Sequence, residues 1–406
     1  MKPVASPLPA HTCLVLGGAI AFLAGATGAS ASGTRVGFKD AFATARGNAF
    51  VATADNPSAL YYNPAGITQL AGAQFAANIY QVAVSSDFTG PGGSASMNDD
   101  PVSVPALYAT WNPSDAPWAY GVALYAPFGL ETEWPAGSPL RTFALKNEQS
   151  YVTYNFTGAW QVSPEFSLGL SLTYNRVETD LNRALGFLAP NDRFRFEGDG
   201  DAIGVNLGLL WKINGRHQFG LSYSHRTKVK LKGTSSTIPL IPSEAADATF
   251  EFPEVLILGW SFRPTPAWNL EVNLDWTNWD RLKTVVINKP SGATPIPFNW
   301  ESGFFYEFGA TRYFSNGLNV SAGYTFTGNS TPDSTYTPAV PDGDRHFFSL
   351  GAGYHARNFS VDLAWQYADG GTRRVVGSPP SLIGATADGA YDNSINAVSL
   401  SVGMKF

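Results

Sequence analysis

The chain has 406 residues, of which 14% are charged and 14% are aromatic, and its formal net charge is −6. This mild acidity without a basic face gives no reason to expect a nucleic-acid partner. A mean hydropathy of −0.08 argues against a protein built from apolar helical spans, but it fits strands whose apolar and polar residues average out.

The first 31 residues have the pattern of a secretory signal peptide. Lys2 supplies the positive start, residues 13–26 form the apolar core, and residues 29–31 read Ala-Ser-Ala, a small-residue cleavage site. Cleavage would remove Cys13, the only cysteine. We therefore expect a mature chain without disulfides or thiolate metal sites, and we predict no metal and no cofactor.

Residues 32–72 do not alternate and are rich in small residues. They lack the charge and the Ser, Gly and Pro content of a solvated tail. They also contain side chains that require burial, namely Phe50, Leu60, Tyr61, Tyr62 and Ile67. We therefore predict that this segment is a plug, or hatch, inside the domain that follows, and not a tail that hangs in the periplasm.

From residue 73 to residue 406 the chain consists of segments with a period of two. In residues 270–277, for example, Leu, Val, Leu and Trp alternate with Glu, Asn, Asp and Thr. Segments of about ten such residues cross a bilayer when they are tilted. The last segment ends on Phe406 and resembles the signal that barrel-assembly machinery reads, so we expect that machinery as a partner during insertion.

Short and long connections alternate along this region. Tight turns are predicted at 112–115, 163–164, 214–215, 264–266, 315–317 and 357–358. Long connections are predicted near 89–102, 131–148, 180–195, 233–247, 284–303, 328–343 and 370–394. This asymmetry is typical of an outer-membrane barrel, and a soluble β-sandwich would not need it. We predict an all-β transmembrane barrel of about 14 antiparallel strands in a bacterial outer membrane.

Pro127 and Gly129 interrupt the third predicted strand, residues 120–130. Proline cannot donate to a strand ladder, and a closed barrel has no edge on which to place it. We expect a kink or bulge at Pro127, Phe128 and Gly129 that leaves a gap in the wall. The alternative is that the strand ends at Tyr125 and Pro127 begins a loop.

Two of the long connections carry apolar residues, some of them at near-helical spacing. They are Leu181, Leu185, Leu188, Ile238, Leu240 and Ile241. Exposed apolar patches usually mark binding sites, so we expect these residues to form an outer groove for a hydrophobic ligand. The alternative is that the loops pack on one another and bury them.

Arg176 and Arg183 lie near the first of these connections and are candidates for binding a ligand carboxylate. The alternative is that they pair with lipopolysaccharide or with acidic residues of the loops. The histidines of the mature chain are scattered over different hairpins, and no credible Ser/His pair exists. We therefore predict no catalytic residues and no enzyme activity.

The mature chain resembles the FadL/TodX family of outer-membrane transporters for long-chain fatty acids and other hydrophobic compounds. The most specific match is residues 47–66, which end in Asn63-Pro64-Ala65-Gly66, because Asn-Pro-Ala is a hallmark of the family's hatch. The resemblance assigns Gly47, Ala49, Asn63, Pro64 and Ala65 to that hatch. Residues 127–134 resemble the family's kinked third strand, and residues 252–254, 276–279 and 341–345 also fit.

The resemblance implies a monomeric barrel of fourteen strands that is closed by the hatch. A ligand would be caught between the outer loops near 181–195 and 233–247, pass to a pocket in the lumen, and leave sideways into the membrane at the kink. Fatty-acid members hold the carboxylate with basic residues, but residues 302–303 read Ser-Gly where a lysine is expected. This departure favours neutral ligands, such as aromatic or aliphatic hydrocarbons, as the alternative cargo. An outer-membrane hydrolase and a structural or adhesive barrel are the remaining hypotheses.

Overall fold

A computed structural model describes residues 33–113, 116–187 and 191–406. The predicted signal peptide lies outside these residues. The barrel region contains β1 (Gly72–Gly90), β2 (Gly93–Ser96), β3 (Val102–Asn112), β4 (Trp118–Glu133), β5 (Lys146–Ser163), β6 (Phe166–Ala184), β7 (Arg193–Lys212), β8 (His217–Ser224), β9 (Thr227–Ile238), β10 (Ile241–Phe252), β11 (Val255–Thr265), β12 (Trp268–Thr277), β13 (Thr284–Ile287), β14 (Thr294–Pro297), β15 (Gly303–Tyr313), β16 (Leu318–Thr327), β17 (Arg345–His355), β18 (Phe359–Val375) and β19 (Gly389–Lys405).

The helical elements are few and short. They are the α-helices Ala41–Ala45 and Ala59–Tyr62 and the 3-10 helices Pro64–Gln69, Trp279–Arg281 and Asp333–Thr335. Among the described residues, no helix has the length and apolar character that crossing a membrane requires.

The wall is a closed antiparallel barrel. β1 pairs with β19 along its whole length, from Gln74 opposite Lys405 to Thr89 opposite Ala390, and this pairing closes the ring. β8 and β9 together form one wall strand, β10 and β11 form another, and β2 only extends the turn after β1. The wall therefore has 14 strands, which confirms the predicted fold class.

The period of two separates a lipid-facing surface from a lumenal surface. On β6, Leu168, Leu170 and Leu172 are exposed on the outside, whereas Ser171 and Thr173 between and beside them are buried on the inside. On β12, the polar residues of 270–277 are the buried ones. Apolar side chains on the outer surface avoid water once the barrel is in a bilayer, which is why an outward apolar band is stable there.

The connections fall on two sides, as the sequence predicts. All six tight turns join consecutive wall strands on one side, and the longer connections lie on the other. One predicted long connection is wrong: residues 233–247 are not a loop, because β9 runs to Ile238 and β10 begins at Ile241. Their small polar residues resemble a loop in sequence, yet residues 232–238 pair in register with residues 193–199 of β7. This hairpin extends the wall, and only Pro239 and Leu240 form its turn.

Residues 33–71 run inside the barrel. The helix Ala41–Ala45 is entirely buried and packs against β17 and β18. The 3-10 helix Pro64–Gln69 packs against β5, β6 and β7 on the other side of the lumen. We call residues 33–38 the strap and residues 40–70 the base, because the two parts contact the wall in different ways.

Candidate functional site

The wall has a gap beside the kinked strand. β4 continues through Pro127 to Glu133, so it does not end at Tyr125. Its register with β5 shifts between Tyr125 and Phe128, which is the bulge that a proline in a closed wall requires. β3 pairs with β4 only from Trp111 opposite Tyr120 to Leu107 opposite Leu124. From residue 106 back to 102 on β3, and from residue 125 onward on β4, the two neighbouring strands are not hydrogen-bonded to each other.

The strap covers the free edge that this gap leaves on β4. The amide of Val36 donates to the carbonyl of Pro127 at 2.9 Å, and the amide of Gly129 donates to the carbonyl of Thr34 at 2.9 Å. These are the hydrogen bonds of a short antiparallel pair with Arg35 opposite Phe128. The strap thus satisfies backbone groups that β3 leaves unpaired.

Arg35 ties the strap to the opposite side of the lumen. Its guanidinium donates to both carboxylate oxygens of Asp275, at 2.7 and 2.6 Å, and to the hydroxyl of Thr277 at 2.8 Å. It also lies 4.9 Å from the centre of the Phe305 ring. A bidentate pair of this kind is among the stronger polar contacts in proteins, and both partners are buried. The strap is therefore held at β4 and at β12.

Two cavities meet at the strap. The larger, of about 560 Å³, opens along the gap and is lined by residues including Val104, Leu124 and Phe128. The smaller, of about 270 Å³, lies towards the long loops, and its lining includes eight aromatic residues. Its aromatic lining is Phe143, Phe194, Phe250, Phe252, Trp279, Phe298, Trp300 and Tyr336. Thr34 and Leu130 line both cavities, so the strap stands at their junction.

The two candidate arginines lie in different environments. Arg183 lines the aromatic cavity, with its guanidinium carbon 5.4 Å from the centre of the Phe194 ring. Its guanidinium forms no hydrogen bond or ion pair with any residue in the described part of the chain. Arg176 is on the outer surface of β6, where it pairs with Asp199 at 2.7 Å and Glu178 at 3.6 Å. Arg176 lines neither cavity, because its position in the strand alternation points it away from the lumen.

The predicted outer groove is not one continuous surface. Leu181 lines the aromatic cavity, and Leu185 is buried in the core cluster that contains Phe194. Leu240 is 64% exposed at a hairpin tip, and with Ile238 and Ile241 it lines neither cavity. The near-helical spacing is not a helix, since Leu181 belongs to β6. Leu188 lies outside the described residues.

The Asn-Pro-Ala sequence is wedged against two wall glycines. The Asn63 side chain donates to the carbonyls of Val51 at 2.8 Å and Leu209 at 3.0 Å. Gly169 and Gly208 face each other on β6 and β7, and a Cβ on either would overlap Asn63, Pro64 or Ala65. The base therefore contacts the wall backbone directly, which only glycine permits at these positions.

Similar glycine pairs lie elsewhere beneath the base. Gly309 and Gly323 are paired under Arg46 and Gly47, and Gly220 and Gly259 are paired under residues 51–52. Gly47 itself has a φ of +59° and lies against the backbone of Tyr324. Ala49 is fully buried. Sequence reasoning missed these pairs, because a glycine in a strand shows no partner until the register is known.

Buried polar contacts fix the base to β12. The Arg46 guanidinium donates to Asn269 at 3.2 Å and to Glu271 at 3.3 Å, and the amides of Ala52 and Thr53 donate to Glu271 at 2.8 and 3.0 Å. The side chains of Arg46 and Glu271 are completely buried. In the part of the chain that the structure describes, no group of three or more His, Cys, Asp and Glu is arranged to hold a metal ion.

Comparison with known proteins gives a consistent result. The family model described as "Outer membrane protein transport protein (OMPP1/FadL/TodX)" matches residues 22–406. The long-chain fatty acid transport protein of Escherichia coli O6:H1 is 22% identical over 79% of this chain and 82% of that protein. A FadL homologue of Pseudomonas aeruginosa has a TM-score of 0.84 at 20% identity, covering 92% of this chain and 100% of its own. The toluene transporter TodX of Pseudomonas putida has a TM-score of 0.74 at 18% identity, covering 93% and 100%. The structural likenesses support the barrel fold.

Proposed function

Because the chain belongs to the OMPP1/FadL/TodX family of outer-membrane transport proteins, we propose that it takes up long-chain fatty acids or related hydrophobic compounds. The observation that carries this proposal is the unpaired stretch between β3 and β4 beside a cavity of about 560 Å³. An apolar molecule that leaves through such a gap enters the membrane without crossing water, and so it keeps its hydrophobic gain.

The proposed path has three steps. A ligand binds at the extracellular loops, moves into the aromatic cavity, and then reaches the gap at Pro127, Phe128 and Gly129. The strap stands between the last two positions, since Thr34 lines both cavities. Release of the strap from β4 would join the cavities and uncover the gap in one movement.

The base acts in this proposal as the hatch that keeps the periplasmic side closed. The residues of the family's hatch motif, Gly47, Ala49, Asn63, Pro64 and Ala65, belong to the base, and its contacts with wall backbone and with Glu271 support a fixed position. The strap has fewer attachments to the wall than the base has. We therefore propose that the strap moves during transport and that the base stays in place.

Arg183 is the proposed partner of a ligand carboxylate. A guanidinium that lines an aromatic cavity without a polar partner would gain a charge-assisted hydrogen bond from a fatty acid. Hydrocarbon transport remains the alternative, because the rest of that lining is mostly apolar and TodX is a toluene transporter. Arg183→Gln should raise the half-saturation concentration for oleate by roughly tenfold or more, since such bonds contribute about 1.5–3 kcal/mol. Toluene uptake should not change.

Uptake measurements test the proposed function directly. In a Gram-negative host that lacks its own outer-membrane fatty-acid transporter, expression of this chain should restore uptake of labelled oleate. Unchanged uptake of both labelled oleate and labelled toluene would overturn the proposal. It would leave the structural or adhesive barrel and the hydrolase as the remaining hypotheses.

The proposal includes no catalytic step, because the family model describes transport proteins. It takes the barrel as a monomer that is inserted by barrel-assembly machinery and surrounded by lipid and lipopolysaccharide. The ion pairs of Arg176 on the outer surface of β6 are consistent with a position at the headgroup level of the outer leaflet.

A further inference from the structure

We infer that a polar pocket behind the kink of β4 binds the hydroxyl or carboxyl head group of an amphipathic ligand while its alkyl chain passes through the gap. The pocket has a volume of about 70 Å³ and is separate from the two cavities described above. The inference rests on the proposed function. It adds a site for the head group and an order of exit, in which the chain leaves first and the head group leaves last.

The polar pocket lies between the strap and the base. Arg35 of the strap and Tyr61 of the base both line it, and so do Pro127 and Phe128 at the kink. Arg35 and Phe128 also line the larger cavity, which opens along the gap. A ligand in the larger cavity can therefore place one end in the polar pocket while its other end lies at the gap.

Most of the lining consists of uncharged polar side chains. Those with a hydroxyl group include Tyr125, Tyr151, Thr153, Thr173, Ser222 and Thr227. No Asp or Glu is among the described residues that line the pocket. Hydroxyl groups both donate and accept hydrogen bonds, so this lining is suited to an alcohol or a carboxyl group.

Two hydroxyls of the pocket are available to a ligand. The hydroxyls of Tyr151 and Thr227 are hydrogen-bonded to each other at 2.9 Å. Those of Ser222 and Ser224 form no hydrogen bond with any residue in the described part of the chain, although Ser222 is only 4% exposed. A hydroxyl buried in this way loses its hydrogen bonds to bulk water, and a bound polar group would replace them.

The size of the pocket suits a head group and not an alkyl chain. A volume of about 70 Å³ has room for roughly five water molecules, which is too little for a chain of fatty-acid length. Gly204 of β7 permits this arrangement, because a Cβ there would lie 2.5 Å from the hydroxyl of Thr173 and 3.2 Å from the methyl group of Thr227. Thr173 and Thr227 therefore border the pocket without a wall side chain between them.

The larger cavity offers a carboxyl head group little by comparison. The carboxylates that line it are Asp100, Glu131, Glu133, Glu148, Asp275 and Glu307. Its cations, Arg35 and Arg345, are already paired with carboxylates of the chain. Because like charges repel, an anionic head group is disfavoured beside these acids. The polar pocket is the adjoining space that lacks them.

These environments favour exit of the chain before the head group. An alkyl chain that passes the gap gains hydrophobic contact with lipid. A head group that entered the apolar part of the membrane without a partner would lose its hydrogen bonds. Hydrogen bonds in the polar pocket replace them while the chain crosses the gap.

Three labelled ligands with the same chain test the inference, namely hexadecanoic acid, hexadecanol and hexadecane. Ser222→Ala with Ser224→Ala removes the two available hydroxyls without breaking a hydrogen bond in the described part of the chain. Uptake of the acid and the alcohol at low concentration should fall about fivefold, as expected for the loss of about one hydrogen bond, and uptake of hexadecane should not change. Equal slowing of all three ligands would overturn the inference. No slowing of any ligand would also overturn it and would assign the pocket to bound water.

A matched control removes buried hydroxyls elsewhere in the wall. The hydroxyls of Ser86 and Thr110 also lack a hydrogen-bond partner among the described residues, and they line neither the polar pocket nor the two cavities. Ser86→Ala with Thr110→Val should leave the uptake of all three ligands unchanged. Slowing of the acid and the alcohol as strong as that in the Ser222 and Ser224 variant would contradict a specific site.

A second pair of variants separates the hydroxyl from the shape of the side chain. Ser222→Thr keeps a hydroxyl, and Ser222→Val has the same shape without one. The Thr variant should take up the acid and the alcohol about fivefold faster than the Val variant, with equal uptake of hexadecane. Equal rates for the acid and the alcohol would overturn the inference. Heat-modifiable mobility on gels shows that each variant has folded.

Uptake by the unaltered chain separates this inference from the proposed function. If expression of the chain raises the uptake of none of the three ligands, the proposed function fails and the inference falls with it. If the chain takes up hexadecane but neither the acid nor the alcohol, the proposed function stands and the head-group site is overturned.

Discussion

The periplasmic half of the lumen and its extracellular half are filled in different ways. The base lies close to the tight turns, packed on glycine pairs and joined to β12 through the buried pair of Arg46 and Glu271. Towards the long loops the lumen holds two cavities, and the strap crosses it there. In the periplasmic half, the base packs directly against the backbone of the wall. The extracellular half contains empty space that is lined in part by aromatic side chains.

In the proposed function, this difference lets one barrel exclude water and still pass an apolar molecule. Direct backbone packing and buried polar bonds leave little room for ions or water at the base. The aromatic cavity offers hydrophobic contact to an alkyl chain, with Arg183 as the proposed partner of a carboxylate. On the proposed path the ligand never passes the base, because it leaves through the wall above it.

Removing the Arg46 side chain should have the largest effect of the changes proposed here, because it destabilises the base in the periplasmic half of the lumen. Arg46→Ala leaves Glu271 buried without its cation, which typically costs about 3–5 kcal/mol. We expect a lower free energy of unfolding in urea titrations of the protein in micelles, and faster influx of vancomycin into cells. The matched control is Arg263→Ala, whose pair with Asp55 is part-exposed and contributes about 0–1 kcal/mol. Equal losses in both variants would show that Arg46 does not anchor the base.

Adding a side chain to a wall glycine should displace the base by a change in the wall instead of a change in the base. Gly208→Leu would overlap Asn63 and Pro64, and such overpacking typically costs about 1–3 kcal/mol. We expect the base to be displaced and single-channel conductance in planar bilayers to appear, while circular dichroism still reports the wall strands. Gly158→Leu is the control, because a Cβ there meets open space. A Gly208→Leu variant that shows no single-channel conductance would contradict the direct packing of the base on the wall.

Straightening the kink of β4 should affect only the extracellular half of the lumen, which holds the two cavities. Pro127→Val with Gly129→Ala should slow oleate uptake by roughly tenfold, equivalent to ~1.4 kcal/mol of barrier, by reducing the gap between β3 and β4. Folding should remain intact, because a Cβ on Gly129 meets only ordinary contacts, at 3.7 Å from the carbonyl oxygen of Gln149 and 3.8 Å from Val36. Heat-modifiable mobility on gels serves as the folding control, and unaffected uptake would count against lateral exit.

Local signals in the sequence predicted the wall and its interruption. Period-two segments and the sides of the turns are properties of short stretches, so the barrel follows from them without knowledge of tertiary contacts. Pro127 breaks a ladder wherever it stands in a closed wall, and this made the kink visible. The hairpin at residues 233–247 was predicted wrongly, because small polar residues fit both a loop and a strand that extends beyond the membrane.

Contacts between distant residues could not be predicted in the same way. Arg35 meets Asp275 across the lumen, 240 positions along the chain, and the paired glycines become visible only with the register. Arg176 and Arg183 look alike in sequence, but strand alternation places one outside and the other at the aromatic cavity.

Tethering the strap to β4 tests the central claim most directly. The Cγ2 atom of Val36 lies 3.8 Å from the position of a Cβ on Gly129, which places a cysteine sulfur at residue 36 near one at residue 129. Val36→Cys with Gly129→Cys is therefore the pair to oxidise, and Cys13 in the predicted signal peptide is the only native cysteine. We predict that the oxidised protein loses oleate uptake, that reduction restores it, and that each single cysteine variant transports normally. Uptake at the wild-type rate by the fully oxidised protein would contradict release of the strap and exit through the gap.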